Sequence, residues 1–306
     1  MILASSILMI RPAAFGFNQE TSVDNYFQSN PQSTSRQQLQ QSALVEFDNM
    51  VEVLRVNDIE VLVIDDTPIP KKPSAIFPNN WLSTTPGGSL IVYPMSAANR
   101  RVEKRDDIIQ WIKQKYLVVD FQDWGGFEAD ELFLEGTGSL VIDYDNKIIF
   151  SCLSPRTNSS LVEKFAKKNG FNCFSFLAKD KNGNLIYHTN VMMCLGAGFS
   201  VICTDAIENE TERLEIIKRL LSTGREIIQI SIEQMHCFAG NMLQLKNKKD
   251  APVLIMSQWA FDCLTNNQSS LLKKYTQVLV IPVNTIEECE GGSVRCMMAE
   301  IFLEKK

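Results

Sequence analysis

The chain has 306 residues, of which 45% are hydrophobic and 22% charged, and its formal net charge at pH 7 is -6. This apolar content suffices for a large core, and the length permits one large domain or two. Because Lys and Arg are scattered and the net charge is mildly negative, the basic surface typical of nucleic-acid binding is excluded.

The first ten residues, MILASSILMI, predict a buried strand. They lack the basic region and small-residue cleavage site of an export signal, and Arg11 and Pro12 interrupt them. No uncharged apolar run approaches the ~18 residues of a membrane-spanning helix, so we expect a soluble, cytoplasmic protein without membrane contact. Residues 17–42, which are polar and rich in Gln and Ser, predict an exposed loop running into a helix.

Helical and extended patterns then alternate to the end of the chain. Apolar spacing near 3.6 residues gives way each time to a short apolar run, which predicts helix, turn and strand. The helix and strand pairs are ALVEFDNMVEVLR with IEVLVI, DDIIQWIKQKY with LVVDF, SLVEKFAKKNG with FNCFSFLA, ERLEIIKRLLSTG with REIIQISI, and QSSLLKKY with TQVLVIPV.

Five times a predicted strand is followed by a loop with Gly or Asn and a second short strand. One marker residue from each loop gives Asn80, Glu135, His188, Asn241 and Cys296, separated by 55, 53, 53 and 55 positions. A constant period above 50 is typical of repeated modules that close on themselves. We therefore predict a single α/β domain over residues 1–306, built from five modules whose loops meet around one axis. Gly-rich turns before strands also occur in other α/β proteins, which leaves a fold without repeats as the alternative.

Three of the markers have the residue types of a nucleophilic site. A Cys nucleophile needs a partner that takes its proton, and a His partner is commonly oriented by a carboxylate. Cys296, His188 and Glu135 supply these types at matched positions. Taken singly, a buried Cys or His is more often a packing residue.

The other cysteines and the second histidine offer weaker combinations. His236 and Cys237 are adjacent, and neighbours in a strand point to opposite faces. Cys194 lies inside the apolar run VMMCL and is interpreted as a packing residue, as are five further cysteines: Cys152, Cys173, Cys203, Cys263 and Cys289. With two histidines and no CxxC motif, neither a metal site nor disulfides are expected.

An ordered set of motifs resembles a known superfamily. LEGTG (134–138), SPRTN (154–158), HTN (188–190) and GGSVRC (291–296) are similar to motifs of the guanidino-modifying enzymes, which include arginine deiminase, dimethylarginine dimethylaminohydrolase and the amidinotransferases. That superfamily has a five-bladed α/β propeller with pseudo-fivefold symmetry, called the pentein fold. IRPAAFGFNQET near the start and FPNNW (77–81) look most like its citrulline-utilisation hydrolases.

The resemblance implies roles for the matched residues. Cys296 becomes the nucleophile, His188 the general acid and base, and Glu135 the carboxylate beside it. Arg156 would bind the substrate α-carboxylate, for which a planar bidentate donor is suited; an ion pair within the protein is the alternative. The expected partner is a small amino-acid substrate and no cofactor is implied, while the sequence leaves open whether the chain forms a homo-oligomer.

Three positions depart from the pattern of arginine-processing relatives. Those relatives commonly have Asp where this chain has Asn80 and Asn190, and deiminases tend to have Asp where it has Gly138. A buried guanidinium without a counter-charge is costly, whereas an Asn amide both donates to and accepts from a neutral ureido group. These positions therefore favour citrulline over arginine, although Asn is also common in tight loops.

The expected activity is hydrolysis of a C–N bond in a ureido or guanidino amino acid through an adduct on Cys296. Citrulline would give ornithine, ammonia and carbon dioxide, and arginine would give citrulline and ammonia. An amidinotransferase uses the same nucleophile and remains an alternative. A non-catalytic pentein that binds a partner is a further alternative, which the presence of all three reactive residues disfavours.

Overall fold

The computed structural model describes all 306 residues, Met1–Lys306. The strands are β1 Ser6–Arg11, β2 Glu60–Asp65, β3 Leu82–Thr84, β4 Ser89–Val92, β5 Asp120–Asp123, β6 Val141–Asp143, β7 Ile148–Cys152, β8 Asn172–Phe176, β9 Met193–Leu195, β10 Phe199–Ile202, β11 Glu226–Gln229, β12 Leu243–Lys246, β13 Pro252–Ser257, β14 Gln277–Ile281 and β15 Ala299–Ile301.

Eleven α-helices and four short 3-10 helices connect the strands. The α-helices are α1 Arg36–Val56, α2 Ala98–Arg101, α3 Asp106–Lys115, α4 Gly136–Ser139, α5 Ser159–Asn169, α6 Thr189–Met192, α7 Glu210–Ser222, α8 Ile232–His236, α9 Gln258–Asp262, α10 Asn266–Tyr275 and α11 Asn284–Glu290. The 3-10 helices are Thr21–Val23, Pro78–Asn80, Gly125–Asp130 and Thr204–Ala206. None of the helices combines the length and the apolar character needed to cross a bilayer.

The strands form five three-stranded sheets, and all five have the same pattern. In each, the first strand is antiparallel to the second, and the second is parallel to the third. We number these units 1 to 5, with strand orders β15-β1-β2, β3-β4-β5, β6-β7-β8, β9-β10-β11 and β12-β13-β14. The predicted fivefold repeat of strand, strand and helix is therefore present.

Unit 1 is assembled from both ends of the chain. Its antiparallel strand β15 comes from the C-terminal part and pairs with β1, for example at Leu8 and Ala299. Neighbouring units contact each other along the chain, through β3 and β15, α4 and β3, β6 and β9, and β9 and β12, and helices α1 and α11 join unit 5 to unit 1.

The helix boundaries follow from local capping chemistry. Capping boxes begin α1 at Ser35, α8 at Ser231 and α10 at Thr265, where each cap residue and a Gln three residues later satisfy each other's backbone N–H groups. Left-handed glycines end α5 at Gly170 and α11 at Gly291. Because α11 stops at Gly291, the chain turns there and enters the turn that carries Cys296.

Candidate active site

The five marker residues are close to one another: two pairs of them are hydrogen-bonded, and two of them pack against the same glycine. His188 Nε2 lies 2.9 Å from Glu135 Oε2, and Asn241 Nδ2 lies 3.4 Å from Cys296 Sγ. A Cβ atom on Gly138 would lie 2.7 Å from both Asn80 Nδ2 and His188 Nδ1. Both side chains therefore pack against that glycine. Residues far apart in sequence thus converge as the repeat predicted.

A small cavity lies where these residues meet. Cys296, His188 and Asn80 line it, and Arg156 forms part of its wall. The other lining residues are Thr21, Asn25, Ser74, Phe77, Arg100, Tyr187, Glu290 and Gly292. The cavity therefore contains a thiol, an imidazole and two guanidinium groups, and it is mostly polar.

Glu135 is a fully buried carboxylate at the N-terminus of α4. Its Oε2 faces His188, and its Oε1 accepts a hydrogen bond from the Ser96 backbone N–H at 3.0 Å. Burial alone would raise the pKa of Glu135, but the hydrogen bond with His188 and the charge of Arg156 outweigh it and lower the pKa to about 2. Glu135 is therefore ionised at neutral pH and able to stabilise a positive charge on His188.

His188 precedes the short helix α6 and is buried beside the ring of Tyr187, with centroids 4.7 Å apart. Burial lowers its pKa more than the Glu135 hydrogen bond raises it, so the imidazole is neutral at pH 7. With Nε2 directed at Glu135, Nδ1 is the ring nitrogen left to exchange a proton.

Gly138 is required by the close approach of α4 to His188 and Asn80. Any side chain there would overlap both residues. The departure from the deiminase pattern at Gly138 therefore has a steric reason in this chain.

Cys296 lies in a turn ahead of β15, in agreement with its predicted position in a loop before a strand. Its backbone N–H donates to Ser293 O at 2.9 Å. The side chain is 2% exposed, and its sulfur accepts N–H groups from Asn241 at 3.4 Å and Asn190 at 3.5 Å. Because Asn241 Oδ1 already accepts the Arg295 backbone N–H at 3.0 Å, its Nδ2 is fixed towards the sulfur. Two amide donors favour a negative charge on Sγ.

The two neutral asparagines have different surroundings. Asn80 Oδ1 accepts from Arg100 Nη1 at 2.8 Å, so a guanidinium of the protein already lies at this position. Asn190 is buried next to Cys296, and its Oδ1 has no hydrogen-bond partner. Asn190 is not among the residues that line the cavity, so its contact with a substrate stays a prediction.

Arg156 is buried and already paired within the protein. Its Nε contacts both carboxylate oxygens of Asp24 at 3.0 and 3.1 Å, one Nη also reaches Asp24, and Thr21 O accepts at 2.9 Å. The guanidinium also stacks over the Tyr187 ring at 4.9 Å. Arg156 thus faces the cavity, as the expected carboxylate ligand should, but Asp24 occupies part of its donor surface.

The polar segment 17–42 is not an exposed loop throughout, contrary to the sequence prediction. Asn18, Thr21 and Asn25 are buried, and the last two line the cavity. Partners within the protein satisfy them: Asn18 Nδ2 donates to Ser74 Oγ at 2.9 Å, Thr21 Oγ1 to Asn18 O at 3.1 Å, and Asn25 Nδ2 to Glu290 O at 3.0 Å. Residues 21–25 therefore cover the site.

Sequence analysis missed two charged residues of the cavity wall, Arg100 and Glu290. Arg100 is held by Glu103 through two hydrogen bonds of 3.0 and 2.8 Å. That pair has the i,i+3 spacing of a helical ion pair, which could have indicated that Arg100 is paired. The segment ANRRVEK is, however, equally typical of an exposed helix. Glu290 has no partner nearby in sequence, so no pattern distinguishes it from a surface carboxylate.

The remaining cysteines lie outside the cavity. All eight cysteines are free thiols. Burial raises the pKa of the seven cysteines other than Cys296. The pKa rises to about 12 for Cys152, Cys194, Cys263 and Cys289, to about 11 for Cys203, and also upwards for Cys173 and Cys237. His236 stacks on Phe27 at 4.6 Å, away from Cys296. No group of three or more His, Cys, Asp or Glu side chains is arranged to hold a metal ion.

Solved structures show which known fold this chain has. ArgZ, an arginine dihydrolase from the ornithine-ammonia cycle in cyanobacteria, matches with a TM-score of 0.74 and 16% identity over 96% of this chain. This chain spans only 40% of the full ArgZ chain, but 97% of the ArgZ N-terminal domain in another structure. DDAH from Pseudomonas aeruginosa, complexed with citrulline, matches with a TM-score of 0.67 and 15% identity over 98% of this chain and 100% of its own. The chain therefore has the same fold as these proteins.

The sequence match shows the family of the chain, which is one of the pentein superfamily. The model of the family described as N,N dimethylarginine dimethylhydrolase, eukaryotic, matches residues 11–303, and the chain belongs to this family. No curated protein matches the chain.

Proposed function

We propose that this protein is a Cys-dependent hydrolase of a C–N bond in a ureido or guanidino amino acid, and that citrulline is its substrate. The observation that carries the proposal is the meeting of Cys296 and His188 at one polar cavity, with the ionised Glu135 hydrogen-bonded to the imidazole. A nucleophile, a base and an orienting carboxylate are the parts that covalent C–N hydrolysis requires.

In the first step, Cys296 attacks the ureido carbon while His188 takes the thiol proton. His188 then gives this proton to the departing δ-nitrogen, which leaves as ornithine, and a carbamoyl group remains on the sulfur. Glu135 stabilises the imidazolium that exists between the two transfers. When no carbamoyl group is attached to the sulfur, the amides of Asn190 and Asn241 stabilise its negative charge.

In the second step, water replaces ornithine. His188 takes a proton from the water as its oxygen attacks the carbamoyl carbon, and returns it to the sulfur as the C–S bond breaks. The released carbamic acid decomposes to ammonia and carbon dioxide. The sum is citrulline and water to ornithine, ammonia and carbon dioxide, with no cofactor.

The charges around Asn80 favour a neutral substrate. A guanidinium bound to Asn80 Oδ1 would share this acceptor with Arg100, which brings the two cations within about 5 Å of each other. At that separation they repel by about 3 kcal/mol at an effective dielectric constant of 20, which corresponds to about a hundredfold in affinity. Glu103, which pairs with Arg100, offsets part of this repulsion. A ureido group has no such cost.

Arg156 binds the substrate α-carboxylate in this proposal. Because Asp24 occupies the guanidinium in the substrate-free protein, the substrate carboxylate takes over donor groups from Asp24 as it enters. Residues 21–25 would then act as a lid that opens for the substrate and closes behind it. The buried position of Cys296 requires such an opening.

We further propose that the five units close into a single propeller domain around the cavity. Each unit contacts the next and unit 5 contacts unit 1, which supports this arrangement. The marker loops would then occupy equivalent positions around one pseudo-fivefold axis.

The test is to incubate the purified protein with citrulline and with arginine separately and to assay ornithine, citrulline and ammonia. We expect ornithine and ammonia from citrulline, and no turnover by the Cys296→Ser variant. Ammonia and citrulline formed from arginine, without turnover of citrulline, would contradict the argument from Asn80 and Asn190. Carbamoyl or amidino transfer to an added amine would instead identify a transferase.

A further inference from the structure

Glu290 is the only acidic residue among the twelve that line the cavity. It is the last residue of α11, it is 3% exposed, and its Oε2 accepts a hydrogen bond from the Ser74 hydroxyl. Its other oxygen, Oε1, is buried without a partner. A buried carboxyl oxygen on a cavity wall with no donor is costly unless a ligand supplies one.

The surroundings of Glu290 suit a cationic ligand. The charged groups that act on it are Arg100 and Arg156, which favour its ionised form, and Glu103, which opposes it. Burial outweighs the two arginines and raises the pKa of Glu290 to about 8, so the carboxyl is mostly protonated while the cavity is empty. A cation that enters the cavity favours ionisation and takes the place of the proton.

The other charged groups of the site are already committed. Glu135 binds His188 and the Ser96 backbone, and Arg100 is held by Glu103 and Asn80. Arg156 pairs with Asp24 in the substrate-free protein and is the proposed ligand of the substrate carboxylate. An α-amino acid also brings an ammonium group with three N–H donors, and Glu290 Oε1 is the acceptor on the cavity wall that is left for it.

We infer that Glu290 binds the α-ammonium group of the amino-acid substrate. It thereby selects amino acids over the same compounds without the α-amino group. This inference rests on the proposed function. The Ser74 hydroxyl donates to Oε2 of Glu290 and so helps to position the carboxyl group. Recognition of both ends of the amino-acid group, by Arg156 and Glu290, then fixes where the ureido carbon lies relative to Cys296.

The experiment compares citrulline with 5-ureidopentanoic acid, which is citrulline without the α-amino group. We expect the unmodified protein to prefer citrulline by about 10- to 100-fold in kcat/KM, the range expected for a hydrogen-bonded charge pair. In Glu290→Gln this preference disappears, because KM rises far more for citrulline than for 5-ureidopentanoic acid. Retained preference in Glu290→Gln, or equal losses for both compounds, would overturn the inference.

Glu287→Gln is the matched control. Glu287 lies one turn earlier on α11, is buried, and accepts a hydrogen bond from Ser293 at 2.6 Å, but it does not line the cavity. We expect it to leave the preference for citrulline intact. A loss of preference in Glu287→Gln as large as in Glu290→Gln would show that the effect comes from disturbing α11, and would count against a direct contact.

Calorimetric binding to Cys296→Ser separates this inference from the proposed reaction, since it requires no turnover. Tighter binding of citrulline than of 5-ureidopentanoic acid, abolished by adding Glu290→Gln, supports the ammonium contact even if the unmodified protein turns over neither compound. Equal binding of the two, or binding of neither, overturns it. Thermal melting of each variant confirms that it is folded.

Discussion

Substitution of Gly138 by Ala should inactivate the protein while leaving it folded. The new Cβ would lie 2.7 Å from His188 Nδ1 and 2.7 Å from Asn80 Nδ2, whereas ordinary contacts begin near 3.4 Å. One or both side chains must therefore move by about 0.7 Å. His188 is held by Glu135, and Asn80 by Arg100, so neither moves without losing a hydrogen bond.

The expected cost divides unequally between stability and catalysis. Overpacking a buried site by one methyl group typically destabilises a protein by about 1–3 kcal/mol, which a chain of this size tolerates. A catalytic group displaced by about 1 Å loses about 100-fold in rate. We therefore expect kcat for citrulline to fall roughly 30- to 100-fold, with a melting temperature only a few degrees lower.

The assay is ornithine release under saturating substrate, together with thermal unfolding. Gly126→Ala is the control, because a Cβ there meets nothing within 4 Å. A Gly138→Ala protein with unchanged kcat would refute the placement of His188 as the proton-transfer group. If Gly138→Ala is unfolded while Gly126→Ala is folded, the expectation that the substitution mainly lowers kcat and costs little stability is wrong.

Three further predictions concern the charged groups. Glu135→Gln removes the carboxylate that stabilises protonated His188, and kcat should fall about 10⁴-fold, measured by ornithine release, with KM little changed. Asp24→Asn frees the donors of Arg156 for the substrate, and KM for citrulline should fall about tenfold, whereas a higher KM would mean that Asp24 helps to hold the substrate. Burial raises the pKa of Glu287 to about 7, so the folded state binds a proton more tightly than the unfolded state and stability is lost as pH rises from about 4.5 to 7. Burial also raises the pKa of Glu290 to about 8, so both proteins lose stability in this range. Between pH 4.5 and 8, urea unfolding should show a loss about 3 kcal/mol larger in the unmodified protein than in Glu287→Gln, and an equal loss in both would count against this assignment.

Much of the fold was predictable because hydrophobic periodicity and capping are local. Each of the five helix and strand pairs read from the sequence is present, and the regular spacing of the loops correctly predicted five similar units. The contact between Glu135 and His188 followed from that spacing and not from any local pattern. The repeat therefore supplied long-range information that composition could not.

The residues that sequence analysis missed are polar groups buried by distant partners. Glu290 and Ser74 are 216 positions apart, and Arg156 and Asp24 are 132 apart. A hydropathy pattern assigns such residues to the surface because it registers only their own polarity. Asn25 illustrates the same failure, since its burial depends on one carbonyl group of residue 290.

The equivalent loops show how one repeated module can build a site with several chemical functions. Each marker precedes a short first strand of its sheet, so the backbone of the module sets its position while the side chain is left to vary. Asn241 shows the consequence. It entered the sequence argument only as a spacing marker, yet its amide is fixed between the Arg295 backbone and the sulfur of Cys296. A residue with no reactive group thus contacts the proposed nucleophile because it occupies the neighbouring loop. The order of the modules determines which side chains become neighbours.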